Sequence, residues 1–347
     1  VDSGEPLKIH GWTVGKGGTE WYRIKEPLRG LRLLGHETTI GPTLFNGTSA
    51  NDYDALLVRG LHDKWNSKAW HKLRELGRHT LIYDLDDDLW NWNTKTEQYT
   101  YWNEERLFQV EQNIIAADVV TTPSESFATY LRQLNRNVIV VPNTVPKWLT
   151  TILPAREPGR PFVVGWEGAP HHIDDLELLY GPLFRFLLRH RETRFHVWGP
   201  AKNPYADVMP GMDGRVQYTP WIKDVPTYYR SLDMDVCVAP LDASPFNETK
   251  SAIRVQEHSA LGIPIIASRS PAYEGWLQPM VNGLFAHDEA DWEEHLELLY
   301  RDHGLRHRMG VAGRELAKQW TTEANVHRWD AIIRQREIAH AHHLSHP

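Results

Sequence analysis

Short apolar runs alternate with longer amphipathic stretches along this chain. In the first half the apolar runs fall at 7–10, 55–58, 80–85, 119–122 and 138–141. Each is too short for a helix and is bounded by polar residues, which predicts buried strands. Between them, 19–34, 68–76, 104–116 and 126–134 show helical spacing. The second half repeats the rhythm, with strands predicted at 162–165, 195–198, 216–218, 236–239 and 264–267. Helices are predicted there at 176–190, 225–231, 251–261, 289–301 and 304–319. Strand and helix in strict alternation predict an α/β architecture with parallel sheets covered on both faces.

Between the halves, Pro142, Pro146, Pro154, Pro158 and Pro161 mark a linker. The expected organisation is therefore two Rossmann-like, doubly wound parallel-sheet domains, 1–150 and 151–322, followed by a C-terminal helical segment, 323–347. Val326, Trp329, Ile332, Ile333 and Ile338 give that segment an apolar side. In doubly wound folds ligands sit at the carboxyl ends of the strands, against helix N-termini. Two such domains are expected to face a shared cleft, with the chemistry on the loops that leave the strands.

Length and composition agree with two globular domains: 347 residues, 41% hydrophobic and 24% charged. The formal net charge of −7 disfavours strong nonspecific attraction to nucleic acid or to an anionic membrane. Cys237 is the only cysteine, so no internal disulfide and no cysteine-based zinc site is expected, and its apolar run VCVA predicts a buried thiol. The segment VDSGEPLKIHGW lacks the basic start and apolar stretch of a secretory leader, and no apolar run is long enough to span a membrane. The expectation is a cytoplasmic protein with no transmembrane segment.

After the first strand, Gly15, Gly17 and Gly18 allow close backbone approach to a ligand, in a loop that is neither GxGxxG nor a P-loop. Arg59 closes the strand ALLV, where it can meet an anion. The run LIYDLDDDLW crowds Asp84, Asp86, Asp87 and Asp88 at a strand end, and such carboxylates need donors, a cation or sugar hydroxyls. No histidine accompanies them at ligand spacing, so no metal site is assigned. GWEGAPHHIDDL brings Gly165, Trp166, Gly168, His171 and His172 to the start of a helix. The densest stretch is VAPLDASPFNETKSAIRVQEHSALGIPIIAS. It carries Asp242, Asn247, Glu248, Thr249 and Lys250 on a polar loop, then Ser251, Arg254 and Glu257 on a helix ending at Gly262. Lys250 and Ser251 at a helix start make an anion site, and Arg254 and Glu257, three apart, share a helix face.

This stretch resembles the donor-binding motif of retaining glycosyltransferases of the GT-B fold, the group-one family. The matching features are Glu257, the small residues SAL, and Gly262-Ile263-Pro264 before IIAS. VNGLFAHD resembles the family's NGxL segment, and PSESF and VPNTV its end-of-first-domain pattern. YDLDDDLW, PLDASPFNETKSAIR and GWEGAPHHIDDL resemble one subset. Two departures stand out. Thr249 occupies the position of a second glutamate, with Glu248 beside it, and the family's Arg and Lys after the second domain's first strand are replaced by WEGAPHH.

The resemblance implies metal-independent transfer from a nucleoside-diphosphate sugar, with retention, to an acceptor the sequence does not name, and no cofactor beyond that donor substrate. It implies Lys250, Ser251 and Arg254 on the pyrophosphate, approached by Gly17 and Gly18, with Glu257 on the ribose and Glu248 positioning the donor sugar. Asp86 and Asp87 would orient acceptor or sugar hydroxyls, Arg59 would meet an anion, and Trp221 would stack near the base. The alternatives are a nucleotide-sugar-binding protein without transfer activity, and an epimerase or phosphorylase on the same fold.

Overall fold

The computed structural model describes residues 4–13, 18–42, 52–92, 97–152, 159–169, 172, 174–199, 212 and 214–335. The chain divides into two compact units. One comprises residues 1–146, 249–251 and 320–347, the other 147–248 and 252–319.

In the first unit the strands are β1 (Lys8–Thr13), β2 (Glu37–Gly41), β3 (Ala55–Arg59), β4 (Thr80–Asp84), β5 (Val119–Thr122) and β6 (Val138–Val140). The helices are α1 (Gly18–Glu20), α2 (Glu26–Leu33), α3 (Lys64–Leu76), α4 (Glu97–Tyr101), α5 (Glu104–Ala116), α6 (Glu125–Leu131) and, from the end of the chain, α13 (Thr322–Ile333). The sheet runs β2-β1-β3-β4-β5-β6, parallel throughout. β3 and β4 are buried along almost their whole length, as the continuous apolar runs predict. The edge strand β2, ETTIG, is exposed to half-exposed and has no apolar alternation, so periodicity does not reveal it.

The helix expected over 19–34 forms in pieces. A π-helical turn, Trp21–Lys25, separates α1 from α2. Pro27, in the first turn of α2, has no N–H to donate back along the helix, and the wider turn absorbs that loss. Arg23 lies on this turn, fully buried.

α13 completes the first unit's core. Its Val326, Trp329, Ile332 and Ile333 cluster with Leu7, Ile9, Ile24, Leu28 and Leu31. Gly30 makes the approach of α13 to α2 possible, since a Cβ there would stand 2.7 Å from a Val326 methyl. Thr322 Oγ1 donates to Glu26 at 2.9 Å, and Arg29 bridges Glu26 and Glu323. The outgoing and returning chain pair where they pass: Val145 N donates to the Trp320 carbonyl and Thr322 N to the Val145 carbonyl. The rest of the predicted C-terminal segment, 336–347, lies outside the described residues.

In the second unit the strands are β7 (Val163–Glu167), β8 (Arg194–Gly199), β9 (Val216–Pro220), β10 (Val236–Ala239), β11 (Ile265–Ser268) and β12 (Gly283–Ala286). The helices are α7 (Glu177–Arg189), α8 (Val225–Ser231), α9 (Pro245–Glu248), α10 (Ile253–Leu261), α11 (Glu289–Arg301) and α12 (His303–Lys318). The order β12-β11-β10-β7-β8-β9, again all parallel, is the 3-2-1-4-5-6 order of dinucleotide-binding folds read from the other edge. Its topological switch point lies between β7 and β10. β12, only GLFA between polar flanks, is the second strand that the apolar pattern does not announce. α10 begins two residues later than predicted and ends on Gly262 at φ 67°, the left-handed cap a glycine favours. Among the described residues no helix is long and apolar enough to cross a membrane.

Candidate functional site

At the second unit's switch point, β7 ends on Glu167, a carboxylate only 3% exposed. Arg254, on the first turn of α10, reaches it: Nη1 lies 3.1 Å from Glu167 Oε1 and also donates to the Glu167 carbonyl. His258, one turn further along α10 and fully buried, places Nε2 3.4 Å from the same oxygen. Burial pushes the Glu167 carboxyl up, but the Arg254 guanidinium and His258 pull it down further, leaving it below the ordinary glutamate range. Burial likewise works against the charge on Arg254, and Glu167 more than restores it. Both groups are therefore ionised at neutral pH, at the position where doubly wound folds place their ligands.

Glu257 is also buried and accepts a hydrogen bond from the Tyr229 hydroxyl of α8. Tyr229 packs on Tyr228, and Tyr228 on Trp221, ring centroids 5.7 Å apart. Trp221, 49% exposed, thus ends an aromatic line leading to Glu257. Arg254 and Glu257, though three apart, are held by different partners rather than paired with each other. The loop after β10 is tied down by Asp175, which accepts from Asp242 N and from the Asn247 side chain and meets His172 at 2.8 Å. Glu248 ends α9 with an exposed side chain. His171 lies outside the described residues. Cys237 is fully buried, and burial raises its thiol well above the usual range, which keeps it an inert core group.

In the first unit each aspartate of the acidic run meets its own donors. Asp84, fully buried, takes a bidentate contact from Arg23 (2.7 Å from Nη2) and a hydroxyl bond from Thr121. Asp86 accepts from Arg59 Nε and Nη2 at 3.0 and 2.7 Å. Asp87 accepts from Lys250 Nζ at 2.6 Å. Asp88 accepts from the Trp90 peptide N–H and the Asn91 amide, a local turn-capping role. Burial drives the Asp86 carboxyl up, Arg59 opposes this, and the Asp87 and Asp84 charges add to the rise, so the balance stays above the ordinary aspartate range. Arg59, at the end of β3, therefore meets a carboxylate of its own unit.

The segment 249–251 belongs with this unit. Ser251 is not the cap of α10, whose N-cap is Ala252; its hydroxyl accepts from Asn143 Nδ2 at 2.9 Å. Gly18 opens α1, while Gly15 and Gly17 lie outside the described residues. Among the described residues no group of three or more His, Cys, Asp or Glu side chains could hold a metal ion.

Several residues central to this arrangement are not singled out by sequence pattern. Glu167 stands in the motif GWEG, and its signal is a charge closing an apolar strand. Arg23, Asn143 and Tyr229 carry no local signal, because each matters only through a partner distant in sequence.

Residues 181–334 match the family model described as "Glycosyl transferase-like". A search of curated proteins finds no match. Among solved structures, sucrose-phosphate synthase from Thermosynechococcus elongatus is similar at TM-score 0.69 and 16% identity, covering 96% of this chain and 100% of that one. Anabaena HepE, in a structure with UDP-glucose, is similar at TM-score 0.65 and 14% identity, covering 94% and 98%. A glycosyltransferase from Rickettsia africae is similar at TM-score 0.67 and 14% identity, covering 96% and 98%. The chain has a GT-B-like fold of two six-stranded parallel α/β sheets, and its residues 181–334 are similar to the glycosyl transferase-like family.

Proposed function

We propose that the protein is a glycosyltransferase that moves a sugar from a nucleoside-diphosphate donor, a UDP-sugar in the first instance, to an acceptor hydroxyl with retention at the anomeric carbon. The observation carrying this reading is the charged group at the second unit's switch point, Arg254 and Glu257 of α10 with Glu167 of β7, inside or beside the region that matches the glycosyl transferase-like model. HepE, similar over nearly its whole length, is described in complex with UDP-glucose. In this reading residues 1–150 serve the acceptor, 151–322 the donor, and the C-terminal segment 323–347 holds to the first domain.

The chemical demand is to stabilise a departing nucleoside diphosphate while positive charge develops at the sugar. Lys250, Ser251 and Arg254 serve the pyrophosphate, approached by Gly17 and Gly18, while Arg59 holds the Asp86 carboxylate in place. Arg254 spends Nη1 on Glu167, and its guanidinium presents donors on two further nitrogens. Glu167 is then a positioning residue that aims the fork. Glu257 accepts the ribose hydroxyls, Trp221 stacks near the base, and Glu248 positions the donor sugar. Asp86 and Asp87 orient acceptor hydroxyls.

The test compares Lys250→Ala with Arg254→Lys, because Arg254→Ala would leave the Glu167 charge uncompensated and confuse stability with catalysis. Each substitution is expected to lower sugar transfer by roughly 10²–10³, about 2–4 kcal/mol of barrier, with thermal unfolding near that of the parent. Near-normal transfer in both would overturn the pyrophosphate assignment.

A further inference from the structure

Three consecutive residues ahead of α10 are each held by a different group of the first unit. Ser124 Oγ donates to the Thr249 carbonyl at 2.6 Å, Lys250 Nζ donates to Asp87 Oδ1 at 2.6 Å, and Asn143 Nδ2 donates to Ser251 Oγ at 2.9 Å. Asn143 is itself fixed, since Arg23 Nη1 donates to its Oδ1 at 3.0 Å and to the Val141 carbonyl. The clamp on either side fixes the backbone from which the Lys250 side chain springs. Its side chain is 14% exposed and that of Asp87 is 18%, so the pair is largely withdrawn from water.

The cations on the neighbouring carboxylates are rooted differently. Arg23 and Arg59 rise from the unit's own π-helical turn and from β3, and Arg23 is locked by bonds to Asp84, Val141 and Asn143. Lys250 comes from a loop, on a long flexible stem, and ends in an ammonium able to exchange one anion for another. It is also the cation that the proposed function gives to the donor pyrophosphate.

We infer that Asp87 is a place-holding carboxylate: it keeps Lys250 aimed in the donor-free protein and yields the ammonium to an arriving pyrophosphate, and its vacated oxygen then accepts an acceptor hydroxyl. The inference rests on the proposed donor role of Lys250 and adds an order to it, donor before acceptor. A pyrophosphate carries more negative charge than one carboxylate and so competes for the ammonium. Once Lys250 turns away, the Asp87 charge acts uncompensated by the ammonium on Asp86, already disfavoured as an anion by burial and by its neighbours. A hydroxyl donor relieves such a charge. No bond is made or broken in the exchange; one ion pair replaces another.

The experiment measures calorimetric affinity of the full chain for UDP, GDP and ADP, and carries the tightest binder forward. Asp87→Asn, Lys250→Met and the double variant are compared after checking that all unfold thermally like the parent. Lys250→Met is expected to weaken binding about tenfold. Asp87→Asn is expected to tighten it about two- to fivefold while lowering kcat for transfer, the size of a partly screened ion-pair competition. In the Lys250→Met background the Asp87→Asn change should no longer affect affinity. Equal tightening in both backgrounds would mean a general field effect and would overturn the place-holder, as would unchanged or weaker binding in Asp87→Asn alone. A parent chain that binds none of the three nucleotides would instead overturn the donor reading itself, and this inference with it.

Discussion

Glu167 and Arg254 show how much one residue pair can decide. Glu167 is buried, and its ionised form survives there because Arg254 sits 3.1 Å away with His258 behind it. Its carboxyl therefore lies below the ordinary range in the folded chain, so the pair contributes stability that is fully present above the unfolded value and is lost as pH falls through the folded one. Replacing Arg254 by Ala removes the compensation, and burial then pushes the same carboxyl upward. The expected cost at neutral pH is about 3–5 kcal/mol. It should shrink as the solution is acidified, first because the variant's uncompensated carboxyl, raised by burial, is protonated while the parent's is still ionised. Denaturant unfolding at pH 7 and pH 4 checks this. A loss of equal size at both values would show that Arg254 contributes packing rather than charge.

Among the elements, α10 is the one whose placement matters most, and two glycines set it. Gly262 ends it in the left-handed region, and α12 approaches so closely that a Cβ on Gly310 would stand 2.5 Å from the Gly262 carbonyl oxygen. Gly310→Ala is expected to destabilise the protein by about 1–3 kcal/mol and to weaken nucleotide binding, since backbone and not a flexible side chain must give way. Thermal unfolding and nucleotide affinity measured on the same variant check it; an unchanged melting point would mean that the helices are not packed that closely. Elements with a buried face and a cap were legible in the sequence. The helices at 104–116 and 289–301 form over the spans their spacing predicts, with Asn103 and Asp288 capping them. β2 was not legible, because an edge strand facing solvent needs no apolar alternation. β12 was not, because GLFA opens on a glycine and has no β-branched residue, unlike the VVTT, VCVA and IIAS strands of the same length. The candidate site was legible where chemistry is local, as in the acidic run and the Lys250–Glu257 stretch. It was illegible where a partner comes from far along the chain: Glu167 for Arg254, Tyr229 for Glu257, and Lys250 itself for Asp87.

On the scale of the whole molecule, the same winding rule is used twice with different ends. The second unit has the 3-2-1-4-5-6 order, with its charged group at the switch point, while the first replaces part of that order with the edge strand β2 and takes its last core helix, α13, from the end of the chain. Binding of a nucleotide alone fits a transferase, an epimerase and a non-catalytic binder equally well, so the fate of the glycosidic bond decides between them. Proton NMR of the full chain incubated with UDP-glucose, with water as the slow default acceptor, reads that bond directly. Retaining transfer predicts release of UDP together with α-glucose, the anomer of the donor, accumulating before mutarotation. The β-anomer appearing first, an epimerised sugar still attached to its nucleotide, or a bound donor that stays intact would each contradict it.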